Sequence, residues 1–203
     1  MGKMDQARPY RLKRRAERQD ETRRRITEAT MALHQEVGPA ATTISAIAER
    51  AGVERLTVYR HFPDEGDLFR ACQSHFLAEH PMPDLNAWAA IAEPSARLRR
   101  ALSDLYARYD ATEAMTANIL RDAPGIPTLA ALIKDMPAYY LAARALLAAP
   151  FAAPSTPRLE LLAAVGHALD FETWRSLVRR QGLSQEQATD LMVAFVTRAA
   201  EAR

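Results

Sequence analysis

The sequence predicts an all-α protein built in two helical parts, and three observations carry that expectation. Only seven glycines stand among 203 residues rich in Ala, Leu and Arg, a composition that favours helix. Apolar residues recur at three- and four-residue steps, the period of amphipathic helices. The punctuation is that of helix ends, with Gly38-Pro39, Gly52, Pro63 and Gly182 each closing an apolar stripe. Apolar residues make up 48% of the chain, enough for a packed core, and a charged share of 26% argues against wholesale disorder.

Residues 1–21 lack apolar periodicity and read as a flexible basic arm. From Thr22 a stripe of Ile26, Thr30, Leu33 and Val37 predicts an amphipathic helix that Gly38-Pro39 stops. Thr43 is the expected N-cap of a short helix whose buried stripe is Ile44, Ile47, Ala48 and Ala51. Gly52 supplies the backbone freedom of a sharp turn. A second short helix should run from about Glu54 to Phe62, where Pro63 ends it. Helix, glycine-containing turn, helix is the helix-turn-helix pattern. Asp64 then caps a fourth helix, with Asp67 in an acidic version of the capping box.

The second short helix carries the functional reading. Residues four apart share a face, so Val58 and Phe62 should point inward together. Arg55 with Tyr59, and Leu56 with Arg60, then lie on exposed stripes. That is the arrangement of a helix presented to the major groove. Arg matches guanine O6 and N7, and Leu can meet a thymine methyl. Thr43, Thr57, Tyr59 and His61 suit phosphate oxygens, which position a protein without specifying sequence.

These residues resemble a known family. The segment TISAIAERAGVERLTVYRHFPDEGDLFRA, residues 43–71, is similar to the DNA-binding region of TetR-family transcriptional repressors, with A-G-V, T-V-Y-R-H-F and the later L-F at family spacing. The resemblance is strong over roughly 22–72. It implies a homodimer whose two heads straddle a pseudo-palindromic operator, with a small-molecule effector bound in each C-terminal domain. It makes Thr43, Arg55, Leu56, Thr57, Tyr59 and His61 the DNA-facing set. The sequence departs from the family at Glu65, where a phosphate-contacting lysine is common.

The charge pattern bears on the same surface. Net charge is only +2, but residues 1–25 hold ten Lys/Arg against four acids. Residues 38–70 hold four basic residues and five acids, so the reading head itself is close to neutral. A basic front end on a neutral body is expected where one end meets a polyanion. The basic segment is therefore expected to restore the phosphate grip the head lacks.

The rest of the chain reads as a helical effector-binding and dimerisation domain over 79–203, after a DNA-binding domain over 22–78. Asp110 with Glu113, and Ser184 with Gln187, look like capping pairs. Pro137 should restart a helix, and residues 149–157 form a proline-rich loop. The helices near 158–180 and 184–201 carry more apolar surface than one chain readily covers, which predicts a two-fold four-helix interface. Leu162, Leu169, Leu191 and Phe195 are its expected contacts. The stretch HALDFETWRSLVRRQGLSQEQATDLM, 167–192, looks like the family's dimerisation hairpin.

Aromatic side chains with a few polar groups are what an apolar pocket uses. Trp88, Tyr106, Phe171 and Trp174 are the expected walls, with Asn118 and His167 as polar anchors because each lies in an otherwise apolar stretch. A small apolar or aromatic effector fits this set.

The sequence also argues against other classes. It has no Gly-rich phosphate loop, zinc-binding His pair, Cys pair or G-x-S-x-G elbow, so no enzyme, metal or cofactor is expected. Cys72, the single cysteine, should be a buried thiol. No apolar run approaches the roughly 20 residues of a membrane span. No secretory signal is visible, so a cytoplasmic setting is expected. The competing reading is a helical small-molecule-binding protein that kept the fold and lost DNA binding, with Glu65 as its best support.

Overall fold

The computed structural model describes residues 7–151 and 158–201, and of residues 7–13 and 158 the backbone alone. The described residues are helical and contain no strand. The elements are α1 (Ala7–Glu36), α2 (Ile44–Ala51), α3 (Arg55–His61), α4 (Glu65–Glu79), α5 (Leu85–Ala89), α6 (Pro94–Asp122), α7 (Pro127–Ile133), α8 (Met136–Ala148), α9 (Arg158–Leu169), α10 (Phe171–Arg175) and α11 (Gln185–Glu201). Two compact units result: one runs to Glu79 and is resumed at Ala114–Leu132, and the other takes His80–Glu113 and the chain from Ile133 onward.

In the first unit, α1 packs against α2 and α4, and α2 against α3. Their shared core is Ile26, Ala29, Leu33, Ile47, Ala48, Ala51, Val58, Phe62, Leu68 and Cys72. Cys72 is buried, and burial pushes its thiol up to about 12, so it stays protonated near neutrality. Val37 leaves the stripe, since it is exposed beyond the last turn of α1. The helix ends there because Val37 and Gly38 both turn their N–H groups back to the Leu33 carbonyl.

The expected flexible arm is helical from Ala7 onward, and residues 1–6 lie outside the described residues. Its Arg, Lys, Glu and Gln residues are good helix formers even without an apolar stripe. Ion pairs of Arg24 with Glu21 and Glu28 stitch successive turns together.

In the second unit, α9 packs against α8 and α11. The expected capping pair Asp110–Glu113 lies instead inside the uninterrupted α6, where both carboxylates receive Arg179. A D-x-x-E pattern marks a helix start only where the preceding turn is not already helical. Ser184 and Gln187 do form a reciprocal box at the start of α11: Gln187 donates its N–H to Ser184 Oγ at 3.1 Å, and Ser184 donates its own to Gln187 Oε1 at 2.9 Å. Pro137 falls in the first turn of α8, where its missing N–H costs nothing. The helix expected across 158–180 is broken at Asp170, whose carboxylate caps the Glu172 and Thr173 N–H groups, and it ends in a π-turn over Ser176–Arg180. Of the loop 149–157, residues 152–157 lie outside the described residues.

Gly52 occupies the left-handed region at φ 63°, and an added Cβ would stand 3.0 Å from Arg25 Nη2. Gly52→Ala is therefore expected to destabilise the protein by about 1–2 kcal/mol, read as a lowered thermal midpoint. A midpoint equal to that of the parent would show that the turn tolerates a side chain.

Candidate nucleic-acid interface and effector residues

The candidate surface is built by the joint between α2 and α3. Thr43 caps α2, its Oγ1 accepting the Ala46 N–H at 3.1 Å, and its hydroxyl proton remains available to an acceptor. At the other end Gly52 donates its N–H to Glu49 and Val53 donates to Ala48, the paired bonds of a Schellman motif. This closes α2 and aims the chain into α3.

Two residues hold α3 down: Val58 and Phe62 are buried in the shared core. The opposite face is open. Leu56 is 64% exposed and Tyr59 47%, large apolar groups at the surface of a seven-residue helix. Arg55 and Arg60 are exposed beside them, and Thr57 and His61 are half-buried at the flanks. The structure thus brings Arg55, Leu56, Thr57, Tyr59, Arg60 and His61 onto one helix, with Thr43 exposed at the start of α2.

His61 is held below its ordinary pKa, first by partial burial and then by the charges of Arg23 and Arg60. Near neutrality it is an uncharged imidazole that offers hydrogen bonds and no cation.

The start of α4 is acidic. Asp64 Oδ1 accepts the Asp67 N–H at 2.8 Å, and Asp67 turns its carboxylate to Arg70 at 2.7 Å. The expected box is thus only half formed, because Arg70 competes for the second carboxylate. Glu65 is exposed in the first turn and takes part in neither of these bonds.

Sequence reasoning missed two residues of this region. Arg23 Nη1 donates to the His61 carbonyl at 2.6 Å, and its guanidinium lies 4.1 Å from the centre of the Phe62 ring. Arg25 Nη2 donates to the Gly52 carbonyl at 3.1 Å and to that of Ala51. Both look like unremarkable members of a basic run, and no local signal sets them apart.

Of the six expected effector residues, five lie in the second unit and Asn118 in the first. The Asn118 amide donates to the carbonyls of His34 and Gln35, at 2.9 Å each. It closes the C-terminal end of α1 together with Arg121, which donates to the Val37 carbonyl at 3.1 Å. Asp122 accepts the Ala40 N–H at 3.0 Å. The Asn118 amide, expected as an effector anchor, thus serves here as a cap of α1. His167 is exposed, with Nδ1 3.1 Å from Thr173 Oγ1 and its ring against Phe195.

The other four are buried in the second unit. Trp88 donates its indole N–H to Asp104 at 2.9 Å. Tyr106 donates to the Ala168 carbonyl at 2.9 Å, and Tyr109, one turn on, to that of Leu169 at 2.6 Å. Burial raises both phenols above their ordinary pKa. Phe171 and Trp174 pack on Tyr109. The Trp174 indole N–H is buried with no acceptor among the described residues.

Of the expected interface residues, Leu191 is 46% exposed and Phe195 44%, whereas Leu162 is half-buried. Leu169 is corrected to an interior residue, buried within its own chain where α9 meets the break at Asp170. Among the described residues, no three His, Cys, Asp or Glu side chains gather to hold a metal ion, and no helix is long and apolar enough to cross a membrane.

Residues 26–72 match the model of the bacterial regulatory proteins of the tetR family. No curated protein matches the sequence. Among solved structures, a TetR-like transcriptional regulator from Rhodococcus sp. RHA1 aligns with a TM-score of 0.63 at 17% identity, over 90% of this chain and 97% of that one. A TetR transcription regulator from Haloarcula marismortui aligns at 0.58 and 16%, over 90% and 97%. A second transcriptional regulator from Rhodococcus sp. RHA1 aligns at 0.55 and 23%, over 89% and 98%. At these identities the likeness is one of fold.

His34, at the capped end of α1, is pushed down to about 4 by burial, against the smaller opposing pull of Asp122. A buried neutral histidine contributes stability that is complete above its unfolded pKa of about 6.5 and is lost as pH falls toward 4. Stability should thus decline between pH 6.5 and 4, followed by denaturant midpoints, and His34→Gln should flatten that decline. An equal decline in the variant would assign the effect to other groups.

Proposed function

With a tetR-family DNA-binding domain at residues 26–72 as the premise, we propose that the chain is a sequence-specific transcriptional regulator and not an enzyme. It binds a pseudo-palindromic operator as a homodimer and acts as a repressor released by a small apolar or aromatic effector. The observation that carries the reading is α3, which buries Val58 and Phe62 and turns Arg55, Leu56, Tyr59 and Arg60 outward. An exposed leucine between arginines is wasteful in water and useful against a thymine methyl beside guanine.

The dimer draws support from Leu191 and Phe195, which expose apolar surface on α11. The effector draws support from the buried aromatic cluster around Trp174, whose N–H, without an acceptor among the described residues, suits a ring bearing one acceptor. A shift of the operator-binding equilibrium from 1:99 to 99:1 would require the effector to favour one state by about 5.5 kcal/mol.

Glu65 favours the second reading, a small-molecule-binding protein without specific DNA recognition. Selection of bound duplexes from a random pool, at two salt concentrations, separates the two. The regulator reading expects an enriched inverted repeat. Salt-sensitive retention without a motif would favour the second reading.

The basic leading part of α1 is assigned to phosphate contacts. Deleting residues 2–20 should lower the log–log salt slope by about 0.9 for each contact removed, and an unchanged slope would remove the segment from the interface. Glu65→Lys should tighten binding to all duplexes alike and steepen the slope by about 0.9. A gain confined to one operator would contradict a phosphate role for that position.

A further inference from the structure

Helix α3 has a problem at its C-terminal end that its own sequence does not solve. A helix leaves its last carbonyls without partners, and the residues that follow usually supply N–H groups to them. After α2, Gly52 and Val53 do this. After α3, Phe62 donates to Val58, and the next residue is Pro63, which has no N–H to give. A seven-residue helix is also too short to persist on its own propensity.

The missing donor comes from α1. Arg23 reaches the His61 carbonyl at 2.6 Å and stacks 4.1 Å from the Phe62 ring, a residue fixed in the core. Two residues on, Arg25 reaches the Ala51 and Gly52 carbonyls at the end of α2. The two arginines flank the Ile26 position on either side of α1, so one helix ties off both helices of the reading motif. Guanidinium suits this task because its planar fork donates in its plane and stacks through its face, which a lysine ammonium does not do.

We propose that Arg23 is a positioning residue for DNA recognition: it sets the C-terminal end of α3 and so governs operator specificity without itself contacting a phosphate. This rests on the regulator reading. It separates Arg23 and Arg25 from the rest of the basic run in α1, whose charges are assigned to the polyanion.

The test uses the full chain and its selected operator beside an unrelated duplex. Arg23→Met should weaken operator binding about tenfold while leaving the unrelated duplex within twofold and the salt slope unchanged. Arg23→Lys keeps the charge but not the stacked fork, and should lose specificity to a similar degree. A phosphate contact predicts the opposite: equal losses on both duplexes, a slope lower by about 0.9, and rescue by lysine.

Amide hydrogen exchange of the free variants provides a readout independent of DNA. The amides of Val58 to Phe62 should exchange faster while those of α2 and α11 keep their protection. Loss of protection throughout α1, α2 and α4 would show a general fold defect and overturn the positioning role. Failure of the parent protein to select any operator would overturn the regulator reading and this inference with it. An operator recognised equally well by all three proteins would overturn this inference alone.

Discussion

The buried stripe of α1 is the constraint on which the helix-turn-helix head depends. Ile26, Ala29 and Leu33 form the floor onto which α2, α3 and α4 deliver Ile47, Ala48, Val58, Phe62 and Leu68. Neither α2 nor α3 is long enough to be stable alone, so their helicity is a consequence of this packing. Burial of Val58 and Phe62 contributes about 1.5–3 kcal/mol each, which is what fixes the rotation of α3 about its axis. Once these two residues face inward, Leu56, Tyr59, Arg55 and Arg60 have only the outward face left. The outward face of α3 is thus set from behind, by the core.

Charge in the head is less available than a count of basic residues suggests. Arg50 forms a two-pronged pair with Glu36, at 2.6 and 2.7 Å, and Arg70 is turned to Asp67. Arg24 lies between Glu21 and Glu28, while Arg23 and Arg25 serve backbone carbonyls. Of the arginines in the head, Arg55 and Arg60 project from the reading helix itself. On the proposed regulator reading, a near-neutral surface with two such cations would favour base contacts over backbone grip, since phosphate neutralisation supplies most sequence-independent affinity. The exposed Arg15 and Arg18 on the leading turns of α1 supply charge that the head does not.

Features governed by neighbours in the chain were legible in the sequence, and features governed by distant partners were not. Thr43, Gly52, Pro137 and the Ser184–Gln187 box act within four residues, and residue type alone reveals them. The inward pair Val58 and Phe62 follows from helical spacing. Asp110 and Glu113 show the limit, because the same local pattern serves as a cap at one site and as an acceptor for Arg179 in mid-helix at another. The capping role of Asn118 is hidden in the sequence for a related reason. Its partners, the carbonyls of His34 and Gln35, lie more than eighty residues earlier. Nothing near Arg23 or Arg25 distinguishes a capping arginine from a solvated one.

The second unit shows why aromatic composition alone does not define an effector site. Tyr106 looks like a pocket wall in sequence, yet its hydroxyl and that of Tyr109 close the carbonyls of Ala168 and Leu169 where α9 stops. That stop exists because Asp170 caps the helix that follows, so the two tyrosines answer a backbone requirement. Trp88 is likewise satisfied by Asp104. Trp174 differs. It is as deeply buried as the others, lies under Arg179 and beside the π-turn, and its N–H meets no acceptor among the described residues. A buried donor left unpaired costs about 1–3 kcal/mol, and π-turns are often found at functional positions. Polar satisfaction therefore separates residues that are equivalent by burial, and it sets Trp174 apart as the aromatic whose donor is unmet among the described residues.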